Sequence, residues 1–103
     1  MDVAEPRSGI TVRFNLLSFL AQLSQDARPN LEAEAGSTLA EVIRVLGEQQ
    51  GLELQQILLD SQGQLQGGLE LTVNGQPVSG RKIAEIRLWE SSEVLIVPLV
   101  GGG

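Results

Sequence analysis

The 103-residue chain contains no cysteine, no histidine and no tyrosine. Without thiols it forms neither disulfides nor thiolate metal sites, and it cannot carry a persulfide of its own. Without imidazole it lacks the commonest general base and the commonest metal ligand. Lysine occurs once, as Lys82, and 7 basic residues stand against 13 acidic ones, for a net charge of −6. That balance argues against the phosphate neutralisation on which non-specific nucleic-acid binding depends. It suits a basic partner surface or simple solubility. The only aromatics are Phe14, Phe19 and Trp89, so Leu, Val and Ile must build the core. No apolar run approaches the ~18 residues of a membrane span. The opening "MDVAEPRSG" carries acids and no apolar segment of the secretory kind. The expectation is a cytoplasmic protein with no membrane and no nucleic-acid partner, and no bound metal or cofactor. Carboxylates, hydroxyls, arginines and one lysine are a poor kit for an enzyme.

What is present reads as one domain with one modest core. Residues 1–8 are expected to be a disordered tail. "ITVRFNLL" alternates, with Ile10, Val12, Phe14 and Leu16 on one side, as a half-buried strand does. "SFLAQLSQDARPN" reads as a loop with a short helical turn, and "LEAEAG" as a second strand joined to the first in a wide hairpin. "STLAEVIRVLGEQQG" is the clearest helix. Thr38 and Glu41 form a capping box, and Leu39, Val42, Ile43 and Leu46 fall on one stripe. Gly51 is placed as the left-handed residue past its end, and Gly47 as a weakness in its last turn. "LELQQILLD" suggests a second short helix with Leu54, Ile57 and Leu58 inward.

"LELTV" alternates, and Asn74-Gly75 after it signals a two-residue hairpin turn into "QPV", an edge strand that tolerates Pro77. "RKIAEIRLWESS" reads as irregular. "EVLIVPLV" is a final strand with both faces apolar, as in a central strand covered on both sides. The class is α+β. A sheet with a single main helix leaves its other face open. Leu95, Val97 and Leu99, or else Val94 and Ile96, then form an apolar patch there, unless "LQQILLD" covers it.

The chain closes on "VPLVGGG", with only Val100 between a strand-like run and three glycines. Terminal glycines are either slack or a device. As a device, the only group that Gly101, Gly102 and Gly103 offer is the terminal carboxylate.

In these features the chain resembles the ubiquitin-like sulfur carriers of the MoaD/ThiS superfamily. The features are the strand-strand-helix-strand order, the helix "TLAEVIRVL", the segment "LLDSQGQLQGGLELTVNGQPV" and a strand running into terminal glycines. The resemblance covers roughly residues 9–103 and is closest to the molybdopterin synthase small subunit. It implies a β-grasp (ubiquitin-like) fold, with a mixed four- to five-stranded sheet and one main helix on one face. Residues 9–99 then form the domain and 100–103 a flexible glycine tail.

The resemblance also implies that an E1-like enzyme uses ATP to adenylate the Gly103 carboxylate, which becomes a thiocarboxylate. Sulfur then passes to the molybdopterin synthase large subunit or another sulfur-accepting enzyme. Pro98, Leu99, Val100, Gly101 and Gly102 correspond to the lead-in that partners grip. Where members carry a "DGDEV"-like turn, this chain has "WESSEV".

Such chemistry accounts for the missing Cys and His, because the carrier lends a terminus and its partners bring the bases and the sulfur. The chemical need is plain, since a carboxylate lacks a leaving group until AMP is attached. Val100 to Gly103 spans on the order of 13 Å when extended, and glycines fit a narrow channel and leave the acyl carbon open. Leu95, Val97 and Trp89 are the candidate interface residues. The pairs Glu90/Glu93 and Glu32/Glu34 are better explained as solvated strand faces than as catalytic carboxylates, and Lys82 as an ordinary surface lysine. Two other functions use the same residues: a protein modifier joined through Gly103 to lysines, and a non-covalent interaction module with an idle tail.

Overall fold

A computed structural model of the chain describes residues 9–99. The expected disordered tail at 1–8 and glycine tail at 100–103 lie outside the described residues. Ile10, Val12, Phe14 and Leu16 all point inward along β1 (Gly9–Leu16), as their alternation requires. A short turn of helix, α1 (Phe19–Leu23), carries the buried Leu20. β2 (Asn30–Glu34) then returns antiparallel to β1, with Ile10 opposite Ala33 and Val12 opposite Leu31.

The main helix, α2 (Leu39–Gln50), begins at the expected capping box. The Thr38 N–H donates to Glu41 Oε1 at 2.8 Å, and the Glu41 N–H donates to the Thr38 hydroxyl at 3.1 Å. The Glu41 carboxyl is consequently held below its ordinary value, first by the Thr38 backbone N–H, against which partial desolvation works. Leu39, Val42, Ile43 and Leu46 are buried, so the apolar stripe faces the sheet. α3 (Leu52–Leu58) follows at once, with Leu54 and Leu58 buried in the same core and Ile57 at its margin. Gly51 has positive φ, but its ψ of 156° is extended rather than left-handed helical. It serves as the corner between two helices, its N–H donating to the Gly47 carbonyl and its own carbonyl accepting from Gln55.

β4 (Leu69–Val73) and β5 (Gln76–Val78) form the expected hairpin, with φ of 52° at Asn74 and 84° at Gly75. Positive φ at both positions is what a type I′ turn demands. β7 (Ser92–Pro98) runs parallel to β1 and antiparallel to β4. The five-stranded sheet has the order β2-β1-β7-β4-β5, which places β7 at its centre and Pro77 on an edge.

The structure corrects further readings. The final strand is central but covered on one side only: Val94 and Ile96 are buried while Leu95 and Val97 are half-exposed on the open face. α3 does not cover that face, because its buried residues join the core on the α2 side. The stretch after β5 is not wholly irregular. It holds a 3-10 turn (Gly80–Lys82) and β6 (Arg87–Leu88), which pairs with β3 (Ser37–Thr38) in a second small sheet. Finally, Gly47 is required for packing, since a Cβ there would lie 2.9 Å from the Gln55 Cα.

Candidate functional site

The site is the end of β7, because every chemical role in the tail depends on where that strand releases the chain. β7 is clamped on both sides along its length. Asn15 lies opposite Leu95 and Leu16 opposite Ile96 on the β1 side, while Glu70 faces Val97 and Leu69 faces Pro98 on the β4 side. Pro98 has no N–H to give a ladder, and it is buried. One residue further, the Leu99 N–H donates to the Gly68 carbonyl at 2.7 Å. The strand is therefore held through Leu99, the last residue before Val100 and the three glycines.

Two surfaces flank this exit. On the open sheet face, Leu95 and Val97 form an apolar strip along β7, with Thr72 and Asn15 beside Leu95 and Glu70 beside Val97. Lower on the same face, a cleft of about 610 Å³ is lined by Arg13, Arg28, Asn30, Thr72 and Leu95 among others. Arg13 lies 3.7 Å from Glu93, but both side chains are well exposed, so the pair adds about 1 kcal/mol at most. On the other side of the exit, a groove of about 420 Å³ is lined by Phe19, Ile57, Leu69, Pro98 and Leu99.

The expected interface residues separate. Leu95 and Val97 lie together and lead into Leu99, which is 50% exposed. Trp89 is 66% exposed but precedes β7, at the opposite end from the exit. Seven strand residues at ~3.3 Å each put it roughly 20 Å away. Its ring packs over Gly36, whose carbonyl also accepts a hydrogen bond from Arg87 at 2.8 Å. Val100, Gly101, Gly102 and Gly103 lie outside the described residues.

The remaining candidates have surface roles. Glu32 accepts a hydrogen bond from the Thr11 hydroxyl at 2.9 Å, and Glu90 and Glu93 are exposed, Glu93 lining the open-face cleft beside Arg13 and Glu90 not. Lys82 is exposed in the 3-10 turn. Among the described residues, no three of His, Cys, Asp and Glu gather as a metal site, and no helix is long and apolar enough to cross a membrane.

Sequence reasoning passed over Leu17 and Phe19, which are 37% and 44% exposed. The signal was the run "LLSFL", whose two apolar doublets cannot both face the core. It also passed over Asn74 as a tether. The Asn74 N–H donates to the Glu93 carbonyl at 2.8 Å, and its Oδ1 accepts from the Glu93 N–H at 2.9 Å, pinning the hairpin to the start of β7.

The ThiS family model matches residues 17–103, a span that takes in β7, its exit and the glycines beyond it. Several solved structures share the fold. Small archaeal modifier protein 1 from Haloferax volcanii is 16% identical, with a TM-score of 0.75 over 90% of this chain and 99% of that one. A Pyrococcus furiosus protein named as a molybdopterin converting factor, subunit 1, is 16% identical, with a TM-score of 0.69 over 88% of this chain and 99% of that one. A chain of the BexX/CysO complex from Amycolatopsis orientalis is 21% identical, with a TM-score of 0.63 over 89% of this chain and 99% of that one. No curated protein sequence matches the chain.

Proposed function

The chain belongs to the ThiS family of small, ubiquitin-like carrier-type proteins, and on that premise we propose that it is a sulfur carrier acting through the carboxylate of Gly103. An E1-like enzyme joins that carboxylate to the α-phosphate of ATP, giving an acyl-adenylate and releasing pyrophosphate. Hydrosulfide attacks the acyl carbon, the carbon–oxygen bond to AMP breaks, and a thiocarboxylate remains. The acceptor is an enzyme of cofactor biosynthesis, in first place the molybdopterin synthase large subunit. The carrier's one reacting group is its terminal carboxylate, whose oxygen attacks the α-phosphate; with no His or Cys in the chain, the partner enzymes supply the bases and the sulfur.

The observation that carries this reading is the anchoring of β7. A central strand buried through Val94, Ile96 and Pro98, and tied at Leu99 to Gly68, presents whatever follows it at a fixed point of the surface. Pro98 and Leu99 hold the lead-in, Val100 to Gly102 span the distance to a partner's pocket, and Leu95 and Val97 supply apolar area beside them. Trp89 is too far from the exit to share that contact.

Intact mass of the full chain tests the reading, after incubation with ATP, sulfide and the host's E1-like enzyme. The expected result is replacement of one oxygen by sulfur, lost when Gly103 is deleted. An unchanged mass with no adenylate trapped would leave the interaction-module reading. Conjugates of higher mass on lysines of other proteins, with no thiocarboxylate, would establish the modifier reading instead.

A further inference from the structure

We propose that the groove walled by Phe19, Ile57, Leu69 and Leu99 is a socket for one large apolar side chain of the E1-like enzyme that adenylates the tail. The inference rests on the carrier reading above and adds a contact on the helix side of the sheet, away from the open face.

Three observations converge on it. The large apolar residues Leu17, Phe19 and Leu99 are all exposed, and they gather at one end of the fold. Phe19 and Leu99 line the same groove, and the Leu17 N–H donates to the carbonyl of Ile96 in β7. Single exposed apolar residues are ordinary, but a contiguous group marks a contact surface.

Phe19 is also held outward. Ser18 before it has a φ of 60°, a left-handed value unfavourable for a residue with a Cβ. Such strain persists only where the surroundings impose it, and it concentrates at functional positions. Here Leu20 is fully buried and its N–H donates to the Leu17 carbonyl at 3.2 Å. The turn is thus pinned from inside while Phe19 faces out.

The mouth of the groove is preset as well. Gln66 Nε2 donates to the carbonyls of Gln56 and Leu59 at 3.2 Å each, and Gly67 and Gly68 leave one wall without side chains. Among the described residues, none that lines the groove is charged. At about 420 Å³ it takes a Leu, Phe or Trp side chain and offers a charged one no counter-ion.

The occupant follows from the end of the strand. Pro98 and Leu99 line the groove and are the last described residues before Val100. Four extended residues reach only ~13 Å. An enzyme holding Gly103 in its active site therefore stands over the mouth.

The test is ATP–pyrophosphate exchange catalysed by the host's E1-like enzyme, with full-length carrier as the varied substrate. Phe19→Ser should raise KM for the carrier roughly 30-fold, the size of a hot-spot truncation. Its kcat should stay within about twofold, since the contact is remote from the reacting carboxylate. Phe19→Leu should recover most of the loss. Leu52→Ser removes an apolar residue that is 66% exposed on α3 but outside the groove, and it should change neither constant. Circular dichroism of each variant confirms the fold, and Ile57→Gln repeats the test from the opposite wall. Wild-type KM in both Phe19→Ser and Ile57→Gln would overturn the socket and leave the carrier reading intact. No exchange with the wild-type chain would overturn both.

Discussion

Replacing Gly47 by alanine sets two effects of similar size against each other. In an exposed helix the change would stabilise by about 1 kcal/mol, because glycine is the poorer helix former. In this chain a Cβ at Gly47 would sit 2.9 Å from the Gln55 Cα, 3.1 Å from its Cβ and 3.2 Å from its Cγ. The first of these is a backbone atom, so no rotation of a flexible side chain relieves it. Relief requires α3 to move away by several tenths of an ångström. That movement is resisted by Leu54 and Leu58, which are no more than 1% exposed. The corner at Gly51 resists it too, being hydrogen-bonded to Gly47 on one side and Gln55 on the other. Forcing extra volume into a packed interior costs about 1–3 kcal/mol. The clash therefore outweighs the propensity gain, and the net destabilisation is on the order of 1 kcal/mol. For a domain of this length that lowers Tm by about 4–8 °C, readable by circular dichroism and by the urea midpoint at unchanged m-value. Gly47→Val, with two γ-methyls, should cost more. A Gly47→Ala protein as stable as the wild type, or more so, would refute the argument by showing that α3 yields freely.

Three further outcomes are expected. Thr38→Ala removes the cap of α2 and should cost about 1 kcal/mol in urea unfolding. The same substitution should flatten the acid limb of stability: the folded Glu41 carboxyl lies below its ordinary value of 4.5, so its contribution is present above that pH and is lost as pH falls through the lower folded value. Ile96→Ala, at a fully buried position of β7, should cost about 2–5 kcal/mol, whereas Leu95→Ser, one residue away on the open face, should stay within roughly 1 kcal/mol of wild type in the same melt.

Much of the fold is legible in the sequence because it is written in local periods. β1 alternates without a break, α2 carries both its capping box and its stripe, and Asn74-Gly75 names its own turn. The open questions concern pairing across the chain. β3 and β6 are two residues each, too short to carry any period, and they exist only because Ser37 meets Leu88 and Thr38 meets Arg87. The apolar run of β7 could not say which of its faces was inward, since Val94, Leu95, Ile96 and Val97 are equally apolar. The side on which α2 packs decides that, and it selects Val94 and Ile96. Gly47 read as a weakness for a similar reason: its cost is local, while its justification lies eight positions along the chain, in another helix.

The site divides in the same way. The chemical end that the carrier reading uses is visible as a motif, three glycines after a strand. The proposed recognition groove is not, because Phe19, Ile57 and Leu99 come from three separate segments and meet only in the folded chain. This division has a kinetic consequence. On the proposed function a residue of the tail enters the partner's active site, so changing it should lower kcat as well as kcat/KM. On the same reading Leu95 and Phe19 would touch the partner equally before and during the reaction, so changing either should raise KM alone. The chain then contributes, on the proposed reading, the place where β7 ends and what stands beside that end, and the split between kcat and KM should follow the boundary at Leu99.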